Sequence, residues 1–306
     1  MKKKEIEYIE LGEKIGKGFE NNCFLINKNI KDNSQNTNKE VLKTLNWLGR
    51  LWQHNSHIHF ERCKNELDQL NIKTEKNLKI LKNINIKTHQ GEILRKKYVQ
   101  ISEFKENYED LQLSYSKIKN IGRPMLEKLI ILIDNAKTLR KSRTLGLDPL
   151  GADIVIDVFK GIPQYIKYKI NKILPKKFKF QIKGIKGQMR NILLIENDII
   201  YSDIGLHDLS RYAKRPKLMK HYNSFTFIGI IEIVKNINKE LENDGREFIE
   251  WEIINKLNYP ANKFHKFIAK LILKRMLVLF KKYDKNTESN EQENGAVDTV
   301  IQNRKI

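Results

Sequence analysis

The sequence predicts an α+β protein, with a helical N-terminal half packed with a small, largely antiparallel sheet and C-terminal helices. Three patterns predict it. Apolar residues between positions 38 and 120 recur at steps of three and four, the spacing of an amphipathic helix. Lys177-Phe178-Lys179-Phe180-Gln181-Ile182-Lys183 alternates strictly, the period of a half-buried strand. Ile237–Leu257 and Ala261–Tyr283 then return to helical spacing. Of the 306 residues 40% are apolar and 31% charged, the composition of a folded chain. That length allows one large domain or two ordinary ones. Four segments follow: 1–37, a strand and loop; 38–147, helical; 148–283, a basic α+β domain; and 284–306, a disordered tail.

In residues 1–37 a short strand or turn over Ile6–Leu11 precedes a glycine-containing loop and an Asn-rich connector. Gly16-Lys17-Gly18-Phe19, after Ile9-Glu10-Leu11, is similar to the glycine-rich loop of a kinase. The third glycine is missing, and nothing later reads as the strand lysine, the H-R-D loop or the D-F-G of that family. A plain turn is therefore the reading taken.

Three helical stripes fill the next segment. The first holds Val41, Leu42, Leu45, Leu48, Leu51 and Trp52, and the second Leu78, Leu81 and Ile84. The third holds Leu94, Tyr98, Ile101, Phe104, Tyr108 and Leu111. Pro124 suits the first turn of a further helix through Leu126, Leu129, Ile130, Ile133 and Ala136. Lys137, Arg140, Lys141 and Arg143 complement the carboxyl end of its dipole. Leu147-Asp148-Pro149-Leu150-Gly151 is a turn and marks the boundary between the halves.

In the basic domain a helix, or a strand followed by a helix, covers Ile154–Leu174, with Pro163 breaking it. The alternating strand follows, with Phe178, Phe180 and Ile182 inward and its lysines outward. Next come Gly184 and Gly187, a hairpin of Ile192–Ile195 with Ile199–Tyr201, a basic loop, and a strand-like Phe225–Ile233. Asn258-Tyr259-Pro260 punctuates the last two helices, and from Asp284 the chain is rich in Glu, Asn, Gln and Ser. This order, with Phe225-Thr226-Phe227-Ile228-Gly229-Ile230, resembles the C-terminal half of the small-subunit ribosomal protein family that contains a KH domain. Gly184-Ile185-Lys186-Gly187 does not meet that family's glycine–arginine signature, and the chain is not assigned to it.

The charge is the strongest functional signal. The chain carries +21, a field that favours polyanionic partners. Only 12 of the 58 basic residues are arginine, as AT-rich codons would give, but composition would spread the excess evenly. Instead residues 161–222 hold 14 cations against 4 carboxylates. The nucleic-acid-binding residues are expected to be Lys176, Lys177, Lys179, Lys183, Lys186, Arg190, Arg211, Tyr212, Lys214, Arg215, Lys217 and Lys220. Cations on one surface neutralise phosphates, and interleaved tyrosines stack on unpaired bases. Ser210–Lys217 is the most loop-like cluster. RNA fits better than major-groove DNA, since no helix-turn-helix or zinc-finger spacing is present.

Two constellations offer metal chemistry. His54, His57, His59 and Cys63 are donors of the kind zinc prefers, but a polar bend between helices explains them as well. Asp198, Asp203, His207 and Asp208 sit beside the basic loop, as in a metal-dependent nuclease, while Asn197-Asp198 also suits a hairpin turn. The helix from Ala261 mixes Phe264, Phe267, Ile268, Leu271, Ile272, Leu277 and Phe280 with seven lysines and arginines, so an anionic membrane surface is a further partner for 261–282.

Two cysteines, Cys23 and Cys63, imply no disulfide framework. Met1-Lys2-Lys3-Lys4 leads into Glu5 and Glu7 rather than an apolar core, so no signal peptide is read, and no apolar run is long enough to span a membrane. The expectation is an intracellular, cytoplasmic, non-enzymatic protein with no cofactor. It binds nucleic acid in a packaging, assembly or carrier role. The alternatives are a metal-dependent enzyme acting on nucleic acid and a membrane-apposed structural protein of matrix or movement type.

Overall fold

A computed structural model of the chain describes residues 8–17, 21–29, 39–45, 56–76, 78–139, 153–202, 216–259 and 261–302. The chain forms two compact units. The first comprises Met1–Leu111, Thr138–Pro149 and Ile200–Pro216; the second comprises Gln112–Lys137, Leu150–Ile199 and Lys217–Ile306.

The first unit is built on strands, which overturns the helical N-terminal half expected from the sequence. β1 (Ile9–Lys17), β2 (Asn21–Asn29), β3 (Glu40–Leu45), β4 (Lys79–Lys87) and β5 (Ile93–Glu103) close a barrel in the order β1-β2-β3-β5-β4. All neighbours are antiparallel except β1 and β4, which close it through Ile9↔Ile86 and Glu10↔Lys87. Helix α1 (Ser56–Gln69) lies between β3 and β4, and α2 (Tyr108–Leu111) is a single turn after β5. Ile9, Leu11, Leu42, Ile86, Val99 and Ile101 form the core, with Phe24, Ile26, Leu81 and Ile84 packed on it.

The misleading helical steps have a physical cause. In β3, Val41, Leu42, Thr44 and Leu45 are all buried, and Tyr98 to Ser102 of β5 are buried without interruption. A strand covered on both faces loses its period of two. In β4, Asn83 takes a left-handed φ of 52°. That residue disturbs the alternation, so Leu81 and Ile84, three apart, both reach the core. Three-residue steps then imitate a helix.

The second unit mixes helices with a small sheet. β6 (Gln112–Ser114), β7 (Gln188–Ile195) and β8 (Asp198–Tyr201) form a three-stranded sheet in that order. Its helices are α3 (Tyr115–Ile121), α4 (Arg123–Leu139), α5 (Asp153–Asn171), α6 (Pro216–Asn243), α7 (Trp251–Lys256) and α8 (Lys263–Gln302). The β7–β8 hairpin is as expected: Glu196 and Asn197 supply two consecutive positive φ values, 52° and 63°, the signature of a type I′ turn. Pro163 does not break α5, which runs through it.

Two expected strands are absent. Phe225–Ile233 lies inside the 28-residue α6, where residues 226–231 are all buried. A continuous apolar run cannot report its own period. The resemblance to the KH-containing ribosomal family loses its last strand with it. Lys177–Lys183 is extended after a 3-10 turn at Lys176–Phe178, but it joins no sheet. Its donors go to helices: Phe180 N–H to Asn171 Oδ1 at 2.7 Å, Lys183 N–H to Gln164 Oε1 at 3.1 Å, and Ile185 N–H to Leu279 O at 3.2 Å. Gly184 permits this approach, because a Cβ there would stand 2.4 Å from the Tyr283 backbone.

One polar node ties α3, α6 and α8 together. Glu240 accepts from the Tyr115 hydroxyl at 2.7 Å and from Asn236 Nδ2 at 2.9 Å, and it pairs with Lys281 at 2.6 Å. Burial pushes the Tyr115 hydroxyl well up, and the Glu240 bond adds to it. For Glu240 burial works upward too, but the donors Lys281, Tyr115 and Asn236 outweigh it and hold the carboxyl below the usual glutamate range. A depressed folded pKa gives stability that is complete above the unfolded value, about 4.3, and is lost as pH falls through the folded one. Urea unfolding should therefore show Glu240→Gln less stable than wild type at pH 7, with the gap closing near about pH 3. An equal gap at both pH values would assign the acid transition to other groups.

Candidate functional site

In the first unit one register row crosses the whole barrel. Gly16 of β1 faces Cys23 of β2, Cys23 faces Lys43 of β3, Lys43 faces Gln100 of β5, and Gln100 faces Ile80 of β4. Directly opposed residues share a face of the sheet. At roughly 4.8 Å per strand, Gly16 stands about 10 Å from Lys43 along this row. Residues 18–20, which join β1 to β2 in the sequence, lie outside the described residues.

Lys43 is the cation of this row, and it is half-buried. Its Nζ lies 3.4 Å from Glu75 Oε2, with side chains only 18% and 4% exposed. Beside it Gln100 is fully buried, and its Nε2 has no hydrogen-bond partner among the described residues. An orphaned buried donor is costly. Glu75 adjoins Thr74, which forms a parallel bridge with Tyr201, whose N–H donates to Lys73 O at 2.8 Å. Ser202 then accepts from the Tyr108 hydroxyl at 2.8 Å and is buried. The next residue is Asp203, outside the described residues. The sequence reading missed Lys43, Glu75 and Gln100. Their one signal, a lysine in an apolar Val41-Leu42-Lys43 run downstream of a glycine pair, was hidden by the helical steps around it.

The expected nucleic-acid residues distribute differently. Lys176, Lys177, Lys179, Lys183 and Lys186 are all exposed on the 3-10 turn and the extended stretch after α5. Arg190 is exposed on β7. Phe178 and Phe180, expected inward, are 60% and 49% exposed, while Ile182 is buried. Lys177 Nζ stands 5.0 Å from the centre of the Phe178 ring, and Lys172 Nζ 5.1 Å from that of Tyr168. No carboxylate occurs between Asp157 and Glu196, a stretch holding ten cations. Among the described residues none of Lys167, Lys169, Lys172, Lys176, Lys177, Lys179, Lys183 or Lys186 forms a salt bridge. Arg211, Tyr212, Lys214 and Arg215 lie outside the described residues, and Lys217 and Lys220 fall in the first turns of α6.

The metal candidates do not assemble. His54 is outside the described residues, His57 and His59 fall in α1, and Cys63 is buried on the same helix. Among the described residues no group of three His, Cys, Asp or Glu side chains is placed to hold a metal ion. Asp198 pairs with Lys128 at 3.3 Å; Asp203, His207 and Asp208 are outside the described residues. In α8, Leu273, Met276, Leu279 and Phe280 are buried, leaving Phe264 and Phe267 as its exposed apolar groups among the described residues. Among the described residues no helix is long and apolar enough to cross a membrane.

No protein-family model and no curated protein matches this chain.

The pair of half-buried Lys43 with buried Glu75 carries its own test. Removing one partner of a buried ion pair strands the other charge, at about 3–5 kcal/mol, while replacing both is far milder. Lys43→Met should therefore destabilise strongly in urea unfolding, and Glu75→Gln added to it should restore most of the loss. Strictly additive losses would show that the two side chains do not depend on one another.

Proposed function

We propose that the first unit binds a nucleoside triphosphate through its phosphates, using parts arranged as in protein kinases. The carrying observation is the register row that puts Gly16, the half-buried Lys43 and a Gln100 amide without a partner among the described residues on one face. In kinases a glycine-rich loop covers the phosphates, a lysine on the third strand pairs the α- and β-phosphates, and a helix follows that strand. Here Gly16 is near the end of β1, Gly18 follows it in sequence, Lys43 is on β3, and α1 is the next described element. Asn21 replaces the third glycine; asparagine tolerates the left-handed backbone better than most residues. The absence of a strand lysine is one of four grounds on which the sequence sets a kinase loop aside, with the third glycine, the H-R-D loop and the D-F-G, and Lys43 answers that one.

Two departures define the limits. The acidic partner of Lys43 is Glu75, beyond α1 rather than on it. In the H-R-D-x-x-x-x-N pattern the aspartate precedes the asparagine by five residues, and Lys186 stands at that distance before Asn191. Asn191 and the Asp203 of Ser202-Asp203-Ile204-Gly205 correspond to the positions that hold Mg²⁺ in kinases. Nucleotide binding is thus supported, while a catalytic base is not assigned. Thermal unfolding with Mg–ATP tests this. Ligand at a hundredfold its Kd stabilises by about 2.7 kcal/mol, so wild type should shift upward and the Lys43→Met/Glu75→Gln double variant should not. Equal shifts, or none for wild type at millimolar nucleotide, would contradict the reading.

A second reading is favoured by one observation, the carboxylate-free run of exposed, unbridged lysines on the second unit. We infer that this face binds a polyanion, with single-stranded RNA the candidate the sequence favours. Each phosphate contact contributes about 0.7 to the salt slope on a single strand. Changing Lys176, Lys177 and Lys179 to Ala should lower that slope by about 2 in RNA gel shifts; an unchanged slope would remove these lysines from the contact.

A further inference from the structure

Helix α5 is amphipathic the wrong way round for a solvent-facing helix. Its inward side is small and polar. Asp157 accepts from Gln188 N–H at 3.1 Å, Gln164 accepts from Lys183 N–H, and Asn171 exchanges two hydrogen bonds with the Phe180 backbone, both 2.7 Å. Between them Gly161 is buried so tightly that a Cβ would meet Met276 Sδ at 2.6 Å and Ile185 Cδ1 at 2.7 Å. These contacts fix the rotation of the helix. Five apolar residues described on the helix and just beyond its end are left outside: Phe159 is 68% exposed, Ile173 is 86% exposed, and Ile162, Ile166 and Ile170 are exposed between them. At steps of three and four these five occupy one stripe roughly 20 Å long.

The borders of the stripe decide what covers it. On the helical wheel Lys160 and Lys167 flank one side and Lys169 and Lys172 the other, and Lys176, Lys177 and Lys179 follow beyond the carboxyl end beside exposed Phe178 and Phe180. A contiguous exposed apolar surface of this kind marks an interaction site. A second copy docking there by two-fold symmetry would set lysines against lysines, with no carboxylate between Asp157 and Glu196 to receive them. Nucleic acid would use the lysines but leave five apolar side chains without a partner. An anionic bilayer surface satisfies both: apolar groups enter the acyl boundary while lysine stems lie along it and their ammonium groups reach lipid phosphates.

We propose that the outer face of α5, with Phe178 and Phe180, docks the protein in the plane of an anionic lipid surface. The proposal rests on the polyanion reading of the same lysines and names the polyanion. Flotation of the full chain with vesicles of phosphatidylcholine, alone or with phosphatidylserine, tests it. Ile162, Ile166 and Ile170 changed together to Ser should keep the wild-type circular dichroism and melting temperature, because all three are exposed. Wild type should float with the anionic vesicles only. The serine variant should lose at least tenfold in that partitioning and keep its affinity for single-stranded RNA, whereas the variant with Lys176, Lys177 and Lys179 changed to Ala should weaken on both. Equal flotation of wild type and serine variant would overturn the proposal, as would RNA binding that falls with the serine variant or a wild-type dimer that the serine variant dissociates. If wild type retains RNA but ignores anionic vesicles, the lipid assignment fails and the polyanion reading stands. If it retains neither, both fail.

Discussion

The first unit is organised around a half-buried lysine paired with a buried carboxylate. A carboxylate in a protein interior is costly unless a cation or donors meet it. Pairing with Glu75 meets that need and orients the Lys43 side chain on β3. The barrel supplies the rest, since the strands on either side of Lys43 present Cys23 and Gln100 in register with it. Such a pair adds little net stability. A half-buried lysine next to an amide with no partner among the described residues, in line with Gly16, is the arrangement on which the proposed phosphate binding rests.

The second unit is governed by a different constraint. Helix α5 spends its polar residues on the backbone of the returning chain, Gln164 and Asn171 doing the work that a neighbouring strand would do. The consequence is outward: isoleucines and phenylalanines face solvent among lysines that, among the described residues, pair with no carboxylate. The same hydrogen bonds that keep Lys177–Lys183 out of a sheet thus create the exposed apolar stripe. Asp157, buried beside Gln188, has its carboxyl raised by burial, against the opposing pull of that N–H bond, Arg190 and Lys160. Its place is structural, at the root of this arrangement.

Legibility in the sequence followed the number of faces each element buries. The β7–β8 hairpin was readable because Asn197 and its neighbours are turn chemistry between two short apolar runs. Helix α4 was readable from a clean stripe with Pro124 near its start. Strands β3, β4 and β5 were not, because two-sided burial and the left-handed Asn83 replace alternation with steps of three and four. Phe178 and Phe180 alternate correctly for an extended chain, yet alternation says nothing about which side is covered. The focusing of charge into residues 161–222 is a fact legible in the sequence. Its surface was not, since the lysines sit on a helix and a hook rather than on a sheet. Lys43 was the costliest miss: one helical misreading concealed both the strand and its cation.

Hydrogen–deuterium exchange with and without Mg–ATP addresses the central claim most directly. Phosphate binding by the first unit predicts nucleotide-dependent protection concentrated in Gly12–Leu25 and in Glu40–Leu45, with the lysine-rich stretch 159–186 unchanged. Protection confined to that stretch, or none anywhere in β1 to β3, would contradict it.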